Sequence, residues 1–168
     1  MALTFPAACV SILTLSHTCR FSARLSNRDC FMVKPEVIRR RLDRLGEYLS
    51  ILSRFHRYDL ETFLSDPEHY GSAERFLQLA IEATLDIGSH IIGEENLGAI
   101  EQSRDIPRRL REHGHINQDQ EQRWIRMIGF RNIIVHEYLE VDRTIVHEMV
   151  CNRLNDLDEL KLVFATFL

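Results

Sequence analysis

The chain has 168 residues, with 21 Lys+Arg against 25 Asp+Glu and a formal charge of −4, which is the size of one domain. With 45% hydrophobic and 27% charged residues, 7 Gly and 4 Pro, it is neither disordered, collagen-like nor linker-rich, and it can bury a core without disulfides or metal. No run of about 18 uninterrupted apolar residues occurs, so no membrane-spanning helix and no membrane partner is expected. Nineteen of the basic residues are Arg, and only Lys34 and Lys161 are Lys. That bias reflects either forked, bidentate contacts to carboxylates and phosphates or the codon usage of a GC-rich genome.

Residues 1–31 differ in composition from the rest. They hold three of the four cysteines (Cys9, Cys19 and Cys30), the arginines Arg20, Arg24 and Arg28, and one acid, Asp29. The apolar stretch Leu3 to Leu15 precedes these arginines, the reverse of a secretory signal. A transit peptide fits the Arg and Ser content; the simpler expectation is a non-structural extension over 1–31 ahead of one domain at 32–168. Removing three arginines and one aspartate takes the charge from −4 to −6 and leaves Cys151 as the single cysteine. That fits a reducing cytosol and a cytoplasmic location.

From Lys34 onward the pattern is helical. Pro35 suits a first helical turn, and Ile38, Leu42, Leu45, Leu49 and Leu52 recur at steps of four and three, predicting a helix from about 35 into the middle 50s. Asp59 to Leu64 either continues it or makes a separate turn before a break at Asp66-Pro67. A second helix is expected from near Ser72 to Gly93, with Phe76, Leu77, Ala80, Ile81, Leu85 and Ile92 inward. Ser103 is placed as the cap of a short helix through Arg111 that Gly114 ends. A further helix begins near Gln118 and carries Trp124, Ile125, Ile128 and the stretch Phe130 to Val135. Asp142 caps a last helix in which Ile145, Met149, Leu154, Leu157, Leu160 and Phe164 point inward, although Leu154 and Leu157 also admit other registers. The expected fold class is all-α: an antiparallel up-and-down bundle of four main helices plus a short one.

The segment Gly129-Phe130-Arg131-Asn132-Ile133-Ile134-Val135-His136-Glu137-Tyr138 carries the chemistry. On an unbroken helix at ~100° per residue, Arg131 and Tyr138 share a face while His136 lies ~140° round from Arg131. Either the helix ends near Val135 and the backbone redirects His136, or a second subunit completes the site. An arginine and a histidine without a metal set are what metal-independent RNA cleavage needs. The imidazole moves a proton from the 2′-hydroxyl or to the leaving oxygen, and the guanidinium holds the phosphate charge that builds in the transition state. Asn132 is placed to orient the phosphate.

Arg131-Asn132, then His136 and Tyr138, matches the Arg-x4-His-x-Tyr pattern of the HEPN superfamily, and the surroundings resemble its HepT-like branch. The phrases Ala80-Ile81-Glu82-Ala83 and Asp86-Ile87-Gly88-Ser89-His90-Ile91-Ile92 look like that family's second helix, and the resemblance extends over about Lys34 to Phe164. It implies the toxin of a HepT/MntA-type toxin–antitoxin pair: an endoribonuclease that needs neither metal nor cofactor and works as a homodimer or higher homo-oligomer, with motif residues from two subunits lining one cleft. It also implies that Arg131 and His136 are catalytic, that Asn132 supports them, and that an MntA-like nucleotidyltransferase antitoxin attaches AMP to Tyr138. An adenylate there would block RNA by repulsion and bulk. The chain departs from the family in the extension before Met32 and in the loop from Gly93 to Ser103, which lacks a Pro-rich, Tyr-containing entry. The alternative reading is a non-catalytic helical module that partners a nucleotidyltransferase by complex formation alone.

Other features carry plainer readings. His147 and Cys151, four apart on a helix, lack further ligands for zinc and read as a polar neighbour beside a core-facing thiol. His113 and His115 sit in a loop and either bind metal or, as two histidines alone usually are, stand there incidentally. Asp86 and His90, one turn apart, either hydrogen-bond within their helix or reach the cleft behind the residues that line it. The clusters Arg39-Arg40-Arg41 with Arg44, Arg108-Arg109 with Arg111, and Arg123 with Arg126 either track RNA phosphates or, with Asp43, Asp105 and Glu112 interleaved, form solvated helix faces.

Overall fold

The structure, a computed structural model, describes residues 35–136 and 142–168. The expected extension at 1–31 and Tyr138 lie outside the described residues. Within them the chain forms seven α-helices and one 3₁₀ turn, with no strand. Helix α1 spans Pro35–Leu52 and runs into the 3₁₀ turn Ser53–Arg57. Its stripe is buried as the spacing predicts, with Ile38, Leu45 and Leu52 fully inaccessible. Asp59 to Leu64 is a separate element: α2, Leu60–Ser65, begins where the Asp59 carboxylate accepts from the Thr62 amide at 2.8 Å.

Helix α3 spans Pro67–Glu95 and starts five residues earlier than the expected Ser72. Asp66-Pro67 does break the chain, but it also opens the next helix. Asp66 caps it by accepting from the Glu68 amide at 2.8 Å, and Pro67 supplies the preset φ of a first turn. Asn96, at φ 52°, closes α3 in the left-handed conformation. The short helix α4 spans Asp105–Glu112. Ser103 does not cap it; Asp105 instead turns its carboxylate back onto the amides of Glu101 (3.1 Å) and Gln102 (2.8 Å), which pins the preceding loop. Gly114, at φ 81°, follows the helix as expected.

Helix α5 runs unbroken from Gln118 to His136. Asp142 caps α6, Arg143–Asn152, accepting from the Thr144 amide at 2.9 Å. The expected single last helix is broken at Arg153 (φ −122°, ψ 0°), beyond which α7 runs from Leu154 to Ala165. The break lets α6 face α2, α3 and the 3₁₀ turn while α7 packs on α1, α3 and α5. It also changes which side chains face in. Val146 and Val150 are buried, Met149 is partly buried, and Ile145, expected inside, is 46% exposed.

Helices α1 and α3 are antiparallel, since Arg41 pairs with Asp86 at one end and Tyr48 meets Phe76 at the other. Helices α3 and α5 also run antiparallel, and Trp124 locks them. Its indole Nε1 donates to Thr84 Oγ1 at 3.0 Å, and its ring lies over Gly88, where a Cβ would meet Ile106 Cγ2 at 2.5 Å and Trp124 Cη2 at 2.9 Å. Gly88 is therefore a close-approach glycine, and Trp124 is fully buried at the α3–α4–α5 junction. No described helix is long and apolar enough to cross a membrane.

Candidate active site

The C-terminal half of α5 carries the motif. Phe130 turns into the core at 9% exposure, while Ile133 and Val135 are exposed. This rotation brings the Arg131 side chain across to α3. The guanidinium Nη2 and Nε donate to the single oxygen Oε1 of Glu82 at 2.7 and 3.2 Å, and Nη1 donates to Asn132 Oδ1 at 3.3 Å. The Arg131 side chain keeps 23% of its exposure and that of Glu82 keeps 32%. Gln78, one turn back on α3, donates Nε2 to the same Glu82 oxygen at 3.0 Å, and Arg75 donates to Gln78 Oε1 at 3.0 Å. Burial alone would raise the Glu82 pKa, but the hydrogen bonds from Gln78 and Arg131 and the charges of Arg131 and Arg75 outweigh it and hold the carboxyl below its ordinary range.

Two grooves flank this pair. One, of about 580 Å³, is lined by Glu82, Asp86, Ser89, Glu101 and Arg131. The other, of about 470 Å³, lies on the Asn132 side and includes Arg104, Ile128 and Gly129. They share the loop residues Glu101, Gln102 and Ser103, which Asp105 pins. The arrangement offers a partly exposed guanidinium and an amide side by side between two open channels, with three carboxylates in one of them.

Of the motif residues, Arg131 and Asn132 come together. His136 is the last residue of α5, and its side chain lies outside the described residues, as do residues 137–141 with Tyr138. Because α5 is unbroken through 136, helical position 136 stands ~140° round the axis from position 131. The helix ends at His136, next to Val135, and the backbone beyond it lies outside the described residues. In the basic clusters, Arg41 pairs with Asp86, Arg44 with Glu47, Arg108 with Asp105, Arg109 with Glu112, and Arg111 with Glu121, which fits the solvated-face reading for these five. Asp86 does not bond His90, whose Nε2 is buried without a partner among the described residues. His147 Nε2 lies 3.0 Å from the Tyr58 carbonyl and 3.6 Å from Cys151 Sγ, and burial pushes the Cys151 thiol up. No group of three metal-ligating side chains occurs among the described residues. Glu82 is the site residue that the motif spacing missed; it stood inside a phrase read only for its helix.

The model of a family described as Ribonuclease HepT-like matches residues 41–162. The tRNA nuclease HepT of Aphanizomenon flos-aquae is 30% identical over 110 residues, 66% of this chain and 75% of that one. The mRNA nuclease HepT of Shewanella oneidensis is 36% identical over 83 residues, 49% of this chain and 62% of that one. Among solved structures, the tri-AMPylated Shewanella oneidensis HEPN toxin in complex with MNT antitoxin superposes with a TM-score of 0.73 at 27% identity, covering 78% of this chain and 98% of that one.

Proposed function

Because the chain belongs to the HepT-like ribonuclease family, we propose that it is the endoribonuclease toxin of a toxin–antitoxin pair and cuts RNA without a metal ion. The observation that carries the reading is the Arg131–Asn132 pair, partly exposed between two grooves on the helix that bears the motif. In this reading the 2′-oxygen of RNA attacks the adjacent phosphorus and the bond to the 5′-oxygen breaks, leaving a 2′,3′-cyclic phosphate and a 5′-hydroxyl. Imidazole at His136 takes the 2′-hydroxyl proton or supplies one to the departing oxygen, and Arg131 holds the charge that builds on the phosphoryl oxygens. Asn132 orients that phosphate. The ~140° separation of positions 131 and 136 on one helix favours a cleft completed by a second copy of the chain, that is, a homodimer or a larger homo-oligomer.

The partner in this reading is an MntA-like nucleotidyltransferase that adds AMP to Tyr138. Support comes from the AMPylated state of the Shewanella toxin solved with its antitoxin. The phosphodiester of a tyrosyl-AMP brings a negative charge and a nucleoside into the space RNA must enter.

The test is RNA cleavage in EDTA. Wild type cuts, and Arg131→Ala and His136→Ala do not; full cleavage by both variants overturns the assignment. Growth arrest that persists in both variants without RNA cleavage would favour the non-catalytic helical module instead. For Tyr138, mass spectrometry after incubation with the cognate nucleotidyltransferase and ATP shows added AMP, and a Tyr138→Phe chain that still takes up the label refutes the site.

A further inference from the structure

We infer that Glu82 is a positioning residue for Arg131: it holds the guanidinium by one edge and so presents the other edge to the RNA phosphate. The inference rests on the ribonuclease reading above and deepens it. An arginine has five N–H donors, one on Nε and two on each terminal nitrogen. Glu82 takes the Nε donor and one from Nη2, and Asn132 takes one from Nη1. One donor remains on each terminal nitrogen, free to reach a phosphate.

Three observations separate this contact from an incidental surface ion pair. It joins two helices, with the partners 49 residues apart in sequence. Its acceptor is itself held from behind, because Gln78 donates to the same Oε1 at 3.0 Å while Arg75 fixes Gln78 at 3.0 Å. The groove beside it also contains Asp86 and Glu101, alternative carboxylates for a loose arginine. Asp86 is engaged by Arg41. Removing Glu82 frees Arg131 to swing toward Glu101, away from the geometry a phosphate needs. Misplacement of that kind lowers the rate of the chemical step more than it weakens binding.

The experiment uses the full-length chain and a single-stranded RNA substrate, with Glu82→Ala, Glu82→Gln and Glu82→Asp variants confirmed as folded by thermal melting. Glu82→Ala lowers kcat at least ~10-fold and leaves KM within about twofold. Glu82→Gln keeps a carbonyl acceptor in the same place and regains most of the lost kcat, whereas Glu82→Asp, one methylene short, behaves like the alanine variant. A readout independent of cleavage is the Nε–H resonance of Arg131 in ¹⁵N–¹H spectra, which keeps its wild-type position in Glu82→Gln and loses it in Glu82→Ala. An active wild type with an equally active Glu82→Ala overturns this inference alone, as does an unmoved Arg131 resonance. A wild type that cuts no RNA overturns the ribonuclease reading, and this inference with it.

Discussion

Two arginines eight residues apart on α5 meet carboxylates in different ways. Arg123 Nη1 donates to Asp156 at 2.5 Å, and its Nη2 lies 2.7 Å from Glu159 and 3.0 Å from Asp119. Hydrogen bonds to Glu159 and Asp156, then their charges, push its pKa above the ordinary arginine range. Arg131, on the same helix, has one carboxylate and two terminal donors left over. The side-chain exposures hardly differ, 18% against 23%. What distinguishes them is the number of acids: two carboxylates of α7 and one of α5 surround Arg123 and tie the two helices, while a single carboxylate holds Arg131.

Replacing each by lysine tests this contrast most strongly. Lysine keeps the charge and loses the fork. Arg131→Lys is expected to cut RNA at least ~100-fold more slowly, the scale of losing a transition-state donor. Arg123→Lys is expected to cut within about twofold of wild type per folded molecule, because it shares no contact with Arg131. Single-turnover cleavage beside a melting curve checks both, and the reverse order would erase the distinction.

Stability should rank them the other way. Arg123→Ala leaves Asp156, 14% exposed, without its ion-pair partner, and is expected to cost about 2–3 kcal/mol, somewhat below a fully buried pair. Arg131→Ala releases a carboxylate that is 32% exposed, with an expected cost of no more than about 1 kcal/mol. Urea unfolding of the two variants under one condition measures the difference; equal losses would mean that the additional acids around Arg123 make no structural contribution.

The two regions were unequally legible in the sequence. The α1 stripe from Ile38 to Leu52 could be read outright, because one periodic face meets one core. Asp66-Pro67 was read as a break, since its signals for ending and starting a helix coincide. The turn at Arg153 was hidden because Leu154, Leu157, Leu160 and Phe164 continue the apolar spacing of α6 without interruption; only tertiary packing shows that the two segments face different neighbours. Arg131 and Asn132 stand out through a motif, while the Glu82 contact of Arg131 does not, because helical spacing reports neighbours one turn away and is silent about contacts across helices. The same limit hid the Asp156 and Glu159 partners of Arg123.

Gly88 connects the two regions and offers a weaker test. A methyl at this position meets Trp124, next to Arg123, and Ile106, which follows the loop that Asp105 pins beside Arg131. Gly88→Ala is expected to cost about 1–3 kcal/mol through overpacking, because neither neighbour is the free end of a flexible chain. Unlike the two arginine variants, it should lower melting temperature and cleavage together. Loss of one without the other would show that the α3–α4–α5 junction does not carry the walls of the grooves.

The smallest expected effect is in pH, and it isolates the Arg131 side of the comparison. Glu82 lies below its ordinary value of 4.5 in the folded chain. A carboxyl whose folded pKa is depressed contributes stability that is fully present above the unfolded value and lost as pH falls through the folded one. At neutral pH, Glu82→Gln should therefore be less stable than wild type by under about 1 kcal/mol, the scale of a partly exposed pair. As pH falls from the ordinary 4.5 through the depressed folded value, the wild-type carboxyl takes up its proton as well, and the gap should close. Urea unfolding of the two chains from pH 7 down to 3 measures it. A gap that is flat across this range would mean that the carboxylate and Arg131 are not paired in solution, and Arg131 would then differ from Arg123 by having no anchor rather than a single one.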